Sequence, residues 1–156
     1  MAIVTTIGCD RVTKHAAATT LSGGPSRSFL ADTFRLEYVE NTGAFLNLGA
    51  DWPGRVRTGV FGLGNGLLLM ALAIAAMRWR WPRPALLGVA LFVAGGASNL
   101  LDRITYGVVI DFMNVGFGPL RTGIFNVADM AIMLGAGILV IEAYRSDRPA
   151  EPCDER

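Results

Sequence analysis

Three aspartates, Asp102, Asp111 and Asp129, are the residues of this sequence with the clearest capacity for chemistry. Asp102 follows Asn99 by three positions, and Asp129 follows Asn126 by three. On a helix that spacing puts each acid one turn from an amide on the same face. Asp111 lies between them in VVIDFMNV (108–115). Two carboxylates brought together cannot both ionise freely; they share a proton, and one of them stays protonated. One can then take a proton from water while the other gives one to a carbonyl oxygen. That is peptide hydrolysis with neither a covalent intermediate nor a metal.

A structural account stands beside this one. Asp102 can pair with its neighbour Arg103, and Asp129 can be held by nearby amides. For Asp102 the two accounts are equally good. An unpaired acid inside an apolar run, as at Asp129, is a functional hypothesis by default. Asp111 draws its weight from being the sole charge between Arg103 and Arg121. Other chemistries have less to stand on. The single histidine, His15, excludes a histidine-rich metal site and is expected in the first helix with a structural role. Cys9 and Cys153 are expected as unpaired thiols, with no metal-site or disulfide spacing. No phosphate loop or dinucleotide glycine pattern opens a helix. No metal and no cofactor are expected, and a net charge of +1 gives no reason to expect nucleic acid.

The elements that must position these acids are membrane spans. The chain has 156 residues, 52% hydrophobic and 17% charged, and its mean hydropathy is +0.42. Globular domains of this size carry roughly 25% charged residues. Residues 58–77 and 84–101 hold no charge, and residues 122–141 hold only Asp129. A helix needs around 20 apolar residues to cross the hydrocarbon layer. Residues 2–21 are apolar at both ends but carry Asp10, Arg11, Lys14 and His15; they read as a short, polar first span. A cleaved signal peptide is not expected, because no positive region precedes the apolar run. The expected architecture is therefore one membrane domain of four helices, at about 2–21, 58–77, 84–104 and 122–143.

Arginines set the orientation. The link RWRWPRP (78–84) joins Arg78, Arg80 and Arg83 with Trp79 and Trp81. Short basic loops stay cytoplasmic, and tryptophans favour the interface. Both termini are then cytoplasmic, including the tail 144–156 with Arg145 and Arg148, and segments 22–57 and 105–121 face outward. Within the first of these, SGGPS (22–26) reads as a turn, FRLEYVE (34–40) as a strand and 41–49 as turn and loop. VVIDFMNV reads as a second strand. Paired, the two strands form a small extracytoplasmic sheet, with Asp111 pointing along with Val109 and Met113 and opposite Ile110 and Phe112. The pairs Gly62/Gly66 and Ala131/Gly135 suit close helix packing. Asn65, in mid-span, is expected to hydrogen-bond between helices.

Five blocks carry a family resemblance. SNLLDR (98–103), VVIDF (108–112) and FNVADMAI (125–132), with DRVTK (10–14) and ENTGAF (40–45), occur in this order. They resemble the motif blocks of lipoprotein signal peptidase, signal peptidase II, over about residues 10–144. Position 11 is Arg where the family has Gln, position 98 is Ser where Gly is usual, and one residue instead of two separates Gly43 from Phe45. The resemblance implies four transmembrane helices with a β-cradle, in the bacterial inner membrane. It implies an aspartic endopeptidase that cuts prolipoproteins just before the lipid-modified cysteine. Its catalytic pair falls on Asp111 and Asp129, and its supporting residues on Asn41, Asn99, Asp102, Arg103 and Asn126; Asp10 and Lys14 match the first-helix block. The implied partners are lipid-modified prolipoproteins and membrane lipid; the oligomeric state is left open. A diacylglyceryl anchor would hold the scissile bond at the depth of the acids. The alternative is a membrane protein without catalysis, either a small carrier or a relative that binds lipoprotein precursors. A carrier predicts polar residues along several helices at mid-membrane, whereas here they gather at one end.

Overall fold

The computed structural model describes residues 1–43 and 51–146. The expected loop beyond Gly43, including Ala44 and Phe45, and the tail residues Arg148 and Cys153 lie outside the described residues. Among those described, the chain is mostly helical, with one small antiparallel sheet. The order is α1 (Ala2–Leu21), β1 (Arg27–Phe29), β2 (Phe34–Asn41), α2 (Gly54–Arg78), α3 (Arg83–Tyr106), β3 (Val109–Phe117), β4 (Leu120–Arg121) and α4 (Val127–Ser146). Helix α2 winds as a π-helix over Thr58–Gly64 before tightening to α.

Among the described residues three helices, α2, α3 and α4, are long and apolar enough to cross a membrane, at 25, 24 and 20 residues. Their surfaces are inverted relative to a water-soluble bundle. Leu63, Leu67, Met70, Met133, Leu134 and Val140 face outward. Buried instead are Asp10, Lys14, Asn41, Ser98, Asn99, Asp102, Asp111, Asn114, Asn126 and Asp129. Hydrocarbon is the solvent in which that arrangement is stable, because ionisable groups at membrane depth turn inward and pair. Helix α1 has the length of a span but carries Asp10, Arg11 and Lys14. Asp10 and Lys14 are buried, and all three are ion-paired.

Small residues bring α3 and α4 together, though only in part where expected. A Cβ on Gly135 would stand 2.6 Å from the Gly88 carbonyl oxygen, and one on Gly95 would stand 2.4 Å from the Ala128 carbonyl oxygen. Gly135 thus has the expected role, but its partners are Gly88 and Phe92. Gly66 has only ordinary contact with Leu100. The Gly95 contact is against backbone in the first turn of α4, one residue before Asp129. Gly95→Ala is therefore expected to destabilise the protein by about 1–3 kcal/mol. Melting in detergent measures this; an unchanged melting temperature contradicts the packing described.

The sheet runs in the order β1-β2-β3-β4. Both expected strands are present, each slightly longer than expected, and β1 and β4 add one short strand to either side. The β2–β3 ladder pairs Leu36 with Met113 but Val39 with Asp111, so Glu37 and Tyr38 oppose Phe112 alone. That is a β-bulge on β2; on β3 the N–H groups of Phe112 and Met113 both donate to the Phe125 carbonyl, at 3.1 and 2.9 Å, which breaks the alternation there and puts both side chains in one cluster. Asp111 and Val109 line one cavity, as expected. Met113 instead joins Leu36, Tyr38 and Val127 around the cluster Ala17, Leu21 and Phe112. The same cluster seats the sheet on the end of α1 and the start of α4. Helix α3 stops at Gly107, which takes φ +78° and returns its N–H to the Arg103 carbonyl, turning the chain straight into β3.

Candidate active site

The first turn of α4 shows why Asn126 and Asp129 are three apart. The Asn126 side-chain oxygen accepts the Asp129 N–H at 2.9 Å, and Asp129 Oδ2 accepts the Asn126 N–H at 3.1 Å. This reciprocal pair is a capping box built from Asn and Asp. A second orphan N–H of the turn, that of Ala128, goes to Asp10 Oδ1 at 2.9 Å. Helix α1 thus helps cap α4 across 118 residues of sequence.

Asn126 also connects the two acids. Its Nδ2 donates to Asp111 Oδ1 at 2.6 Å. Asp111 Oδ2 accepts from Asn41 Nδ2 at 2.8 Å, and Asn41 is itself fixed by the Gly43 N–H, 2.9 Å from its Oδ1. The remaining oxygen of Asp129, Oδ1, accepts from Asn99 Nδ2 at 2.9 Å. Each carboxylate oxygen therefore holds one amide donor. Asp111 and Asp129 share one cavity of about 680 Å³, which opens between α2 and the α3–α4 pair. Apolar Phe61, Leu68, Phe92, Ile132 and Met133 line the rest of it. Asn65 lines it too, directly after the π-helical turns of α2, and among the described residues it makes no hydrogen bond between helices.

Burial pushes the Asp111 carboxyl up to about 6; the Asn41 and Asn126 amides oppose the rise, and the charge of Asp129 adds to it. The native state therefore holds this proton more tightly than the unfolded chain does. Its contribution to stability falls as pH rises from 3.8, the ordinary value, through about 6. Asp111→Asn removes that titration, so its stability relative to the wild type improves across the window by up to about 3 kcal/mol. Melting of both proteins at pH 4 and pH 7 measures the difference; a gap that does not change with pH contradicts it.

Asp102 does not take the place beside Arg103. It faces α1, where Oδ1 meets Arg11 and Oδ2 meets Lys14 Nζ at 2.6 Å. Lys14 also reaches Asp10 Oδ2 at 2.7 Å and Asn99 Oδ1 at 2.8 Å, and Ser98 Oγ donates to Asp10 at 2.7 Å. Arg103 spans Asn99 and the loop, donating to the Asn99 carbonyl at 3.2 Å and the Gly43 carbonyl at 2.5 Å. So Asn41, Asn99 and Asn126 touch the acids directly, Arg103 borders their cavity, and Asp102 stands behind them. Ser98, together with the contacts that Asp10 and Lys14 make with α3 and α4, was not read from the sequence. His15 and Cys9 are both exposed on α1, and Cys9 is a free thiol.

Comparison with known proteins agrees with the fold and with the family resemblance. The profile of the signal peptidase (SPase) II family matches residues 2–145. A lipoprotein signal peptidase of Moorella thermoacetica is 36% identical over 135 residues, covering 85% of this chain and 83% of its own. One of Syntrophomonas wolfei is 35% identical, with the same coverage, and one of Vibrio parahaemolyticus is 31% identical over 83% of this chain and 76% of its own. A bacterial membrane enzyme solved by the in meso method at 2.3 Å superposes with a TM-score of 0.85 at 22% identity, covering 99% of this chain and 92% of that one. A second, at 1.9 Å, gives 0.77 at 26% identity, covering 94% and 92%. With three apolar spans, a buried polar centre and a family profile over nearly its whole length, this chain belongs to the signal peptidase II family: a membrane peptidase of lipoprotein processing.

Proposed function

We propose that the chain is an aspartic endopeptidase that cuts prolipoproteins immediately before the diacylglyceryl-modified cysteine, with Asp111 and Asp129 as the catalytic pair. The observation that carries this is the pair of buried carboxylates in one apolar cavity, each oxygen holding a single amide donor. Each oxygen keeps a second lone pair for water or substrate. A water between the acids loses a proton to one of them as it attacks the scissile carbonyl. Asp111, held protonated to about pH 6, is the natural donor to the carbonyl oxygen. Asn41, Asn99 and Asn126 orient the pair, and Arg103 borders the cavity where the substrate backbone lies.

In this reading α1 is a fourth transmembrane helix, its charges paired against α3. The domain is single, with spans near 2–21, 58–77, 84–104 and 122–143. The sheet lies outside the cytoplasm and both termini inside it, in the inner membrane. The apolar cavity suits a lipidated precursor, because acyl chains entering from the bilayer hold the cysteine beside the acids. The polar groups gather where the helices meet the sheet, which favours an enzyme over a carrier.

The test is a pair of peptides alike except for the diacylglyceryl group on cysteine. The purified chain is expected to cut the lipidated peptide only, at the bond before the cysteine. Equal cutting of both, or of neither, contradicts the proposal.

A further inference from the structure

Behind the aspartate pair lies a chain of contacts that ends on a partly exposed residue, Arg11, whose side chain is 34% exposed. Its guanidinium holds Asp102 Oδ1, lies 5.8 Å from the centre of the Tyr106 ring and reaches the Tyr106 hydroxyl at 3.5 Å. With Oδ1 occupied, Asp102 offers Oδ2 to Lys14. The ammonium has three hydrogens, and Asp10, Asp102 and Asn99 take all three. An ammonium donates only, so Asn99 must turn its oxygen toward Lys14. Its nitrogen then faces Asp129 at 2.9 Å.

We propose that Arg11 is a positioning residue for the aspartate pair: its hold on Asp102 fixes Lys14, and Lys14 fixes the Asn99 amide that donates to Asp129. This rests on the peptidase reading above. Arg11 also sets the charge of the network. Asp10 and Asp102 against Lys14 and Arg11 sum to zero; without Arg11 one negative charge is left over behind Asp129. The charged groups facing the two acids, besides each other, are Lys14 and Asp10 from α1 and Arg103 from α3. An uncompensated negative charge behind the pair makes Asp111, in β3, hold its proton to higher pH.

The experiment compares wild type, Arg11→Gln and Arg11→Lys as purified full-length protein. One readout is the pH dependence of kcat on a lipidated peptide. The other is the infrared titration of the Asp111 carboxyl, read in an Asp129→Asn background and independent of activity. Arg11→Gln is expected to move both upward by about half a pH unit, with KM unchanged, and Arg11→Lys to restore both. Profiles of Arg11→Gln that superimpose on the wild type overturn the proposal. So does a lowered melting temperature with both profiles unmoved, which marks Arg11 as merely structural. If wild type leaves the lipidated peptide uncut, the peptidase reading fails, and the infrared titration alone decides the role of Arg11.

Discussion

Asp129→Asn and Asp111→Asn each lower prolipoprotein cleavage by at least about a thousandfold, while the protein still accumulates in membranes. The size follows from the loss of a proton donor or acceptor in a mechanism that has only two. Accumulation follows from shape. Asn replaces Asp without changing volume, and the Asn126 oxygen still caps the Asp129 N–H, so the first turn of α4 keeps one of its two reciprocal bonds. Losing the other costs about 1 kcal/mol. Immunoblots of precursor and mature lipoprotein, with a parallel blot of the peptidase, measure both parts. Mature lipoprotein at the wild-type rate in either variant removes that residue from the catalytic pair.

The second large effect belongs to Lys14. Lys14→Met leaves Asp10 and Asp102 without the ammonium that both contact within 2.7 Å. Removing one member of a buried ion pair costs about 3–5 kcal/mol, because the partner charge stays buried. That is a large part of a small protein's stability, so the variant is expected to melt well below the wild type and to accumulate poorly. Asp10→Asn added to Lys14→Met restores the balance, since Asp102 keeps Arg11 and residue 10 can still accept the Ala128 N–H. The double variant is expected to regain at least half of the lost stability. Its cleavage stays low, because Asn99 is no longer held toward Asp129. Wild-type melting in Lys14→Met contradicts the network; wild-type activity in the stabilised double variant contradicts the link from Lys14 through Asn99.

Much of this centre was legible in the sequence, for local reasons. The i, i+3 spacing of Asn126 and Asp129 is both a capping box and the placement of an acid at a helix start, so one pattern carries both. Apolar runs of helix-spanning length, uncharged except for Asp129, marked α2, α3 and α4, and β-branched, aromatic stretches marked β2 and β3. The partners of Asp102 were not legible. Arg103 is next to it in sequence, but a helix points adjacent side chains about 100° apart. The actual partners, Arg11 and Lys14, lie 91 and 88 residues away. The irregularity that sends Met113 away from Asp111 and toward Phe112 depends on Phe125 arriving beside β3, which the strand's own sequence does not encode. Gly88 and Gly95 were missed as contacts because their spacing of seven is a weaker cue than small residues four apart. Ser98 carries no signal of its own; it matters because Asp10 arrives from α1.

The most direct test of the central claim is mass spectrometry of a diacylglyceryl-cysteine peptide incubated with purified wild-type protein and, in parallel, with Asp129→Asn. Wild type is predicted to release one fragment ending at the residue before the lipidated cysteine, and Asp129→Asn to release none over the same time. Equal release of that fragment by both proteins would contradict the account.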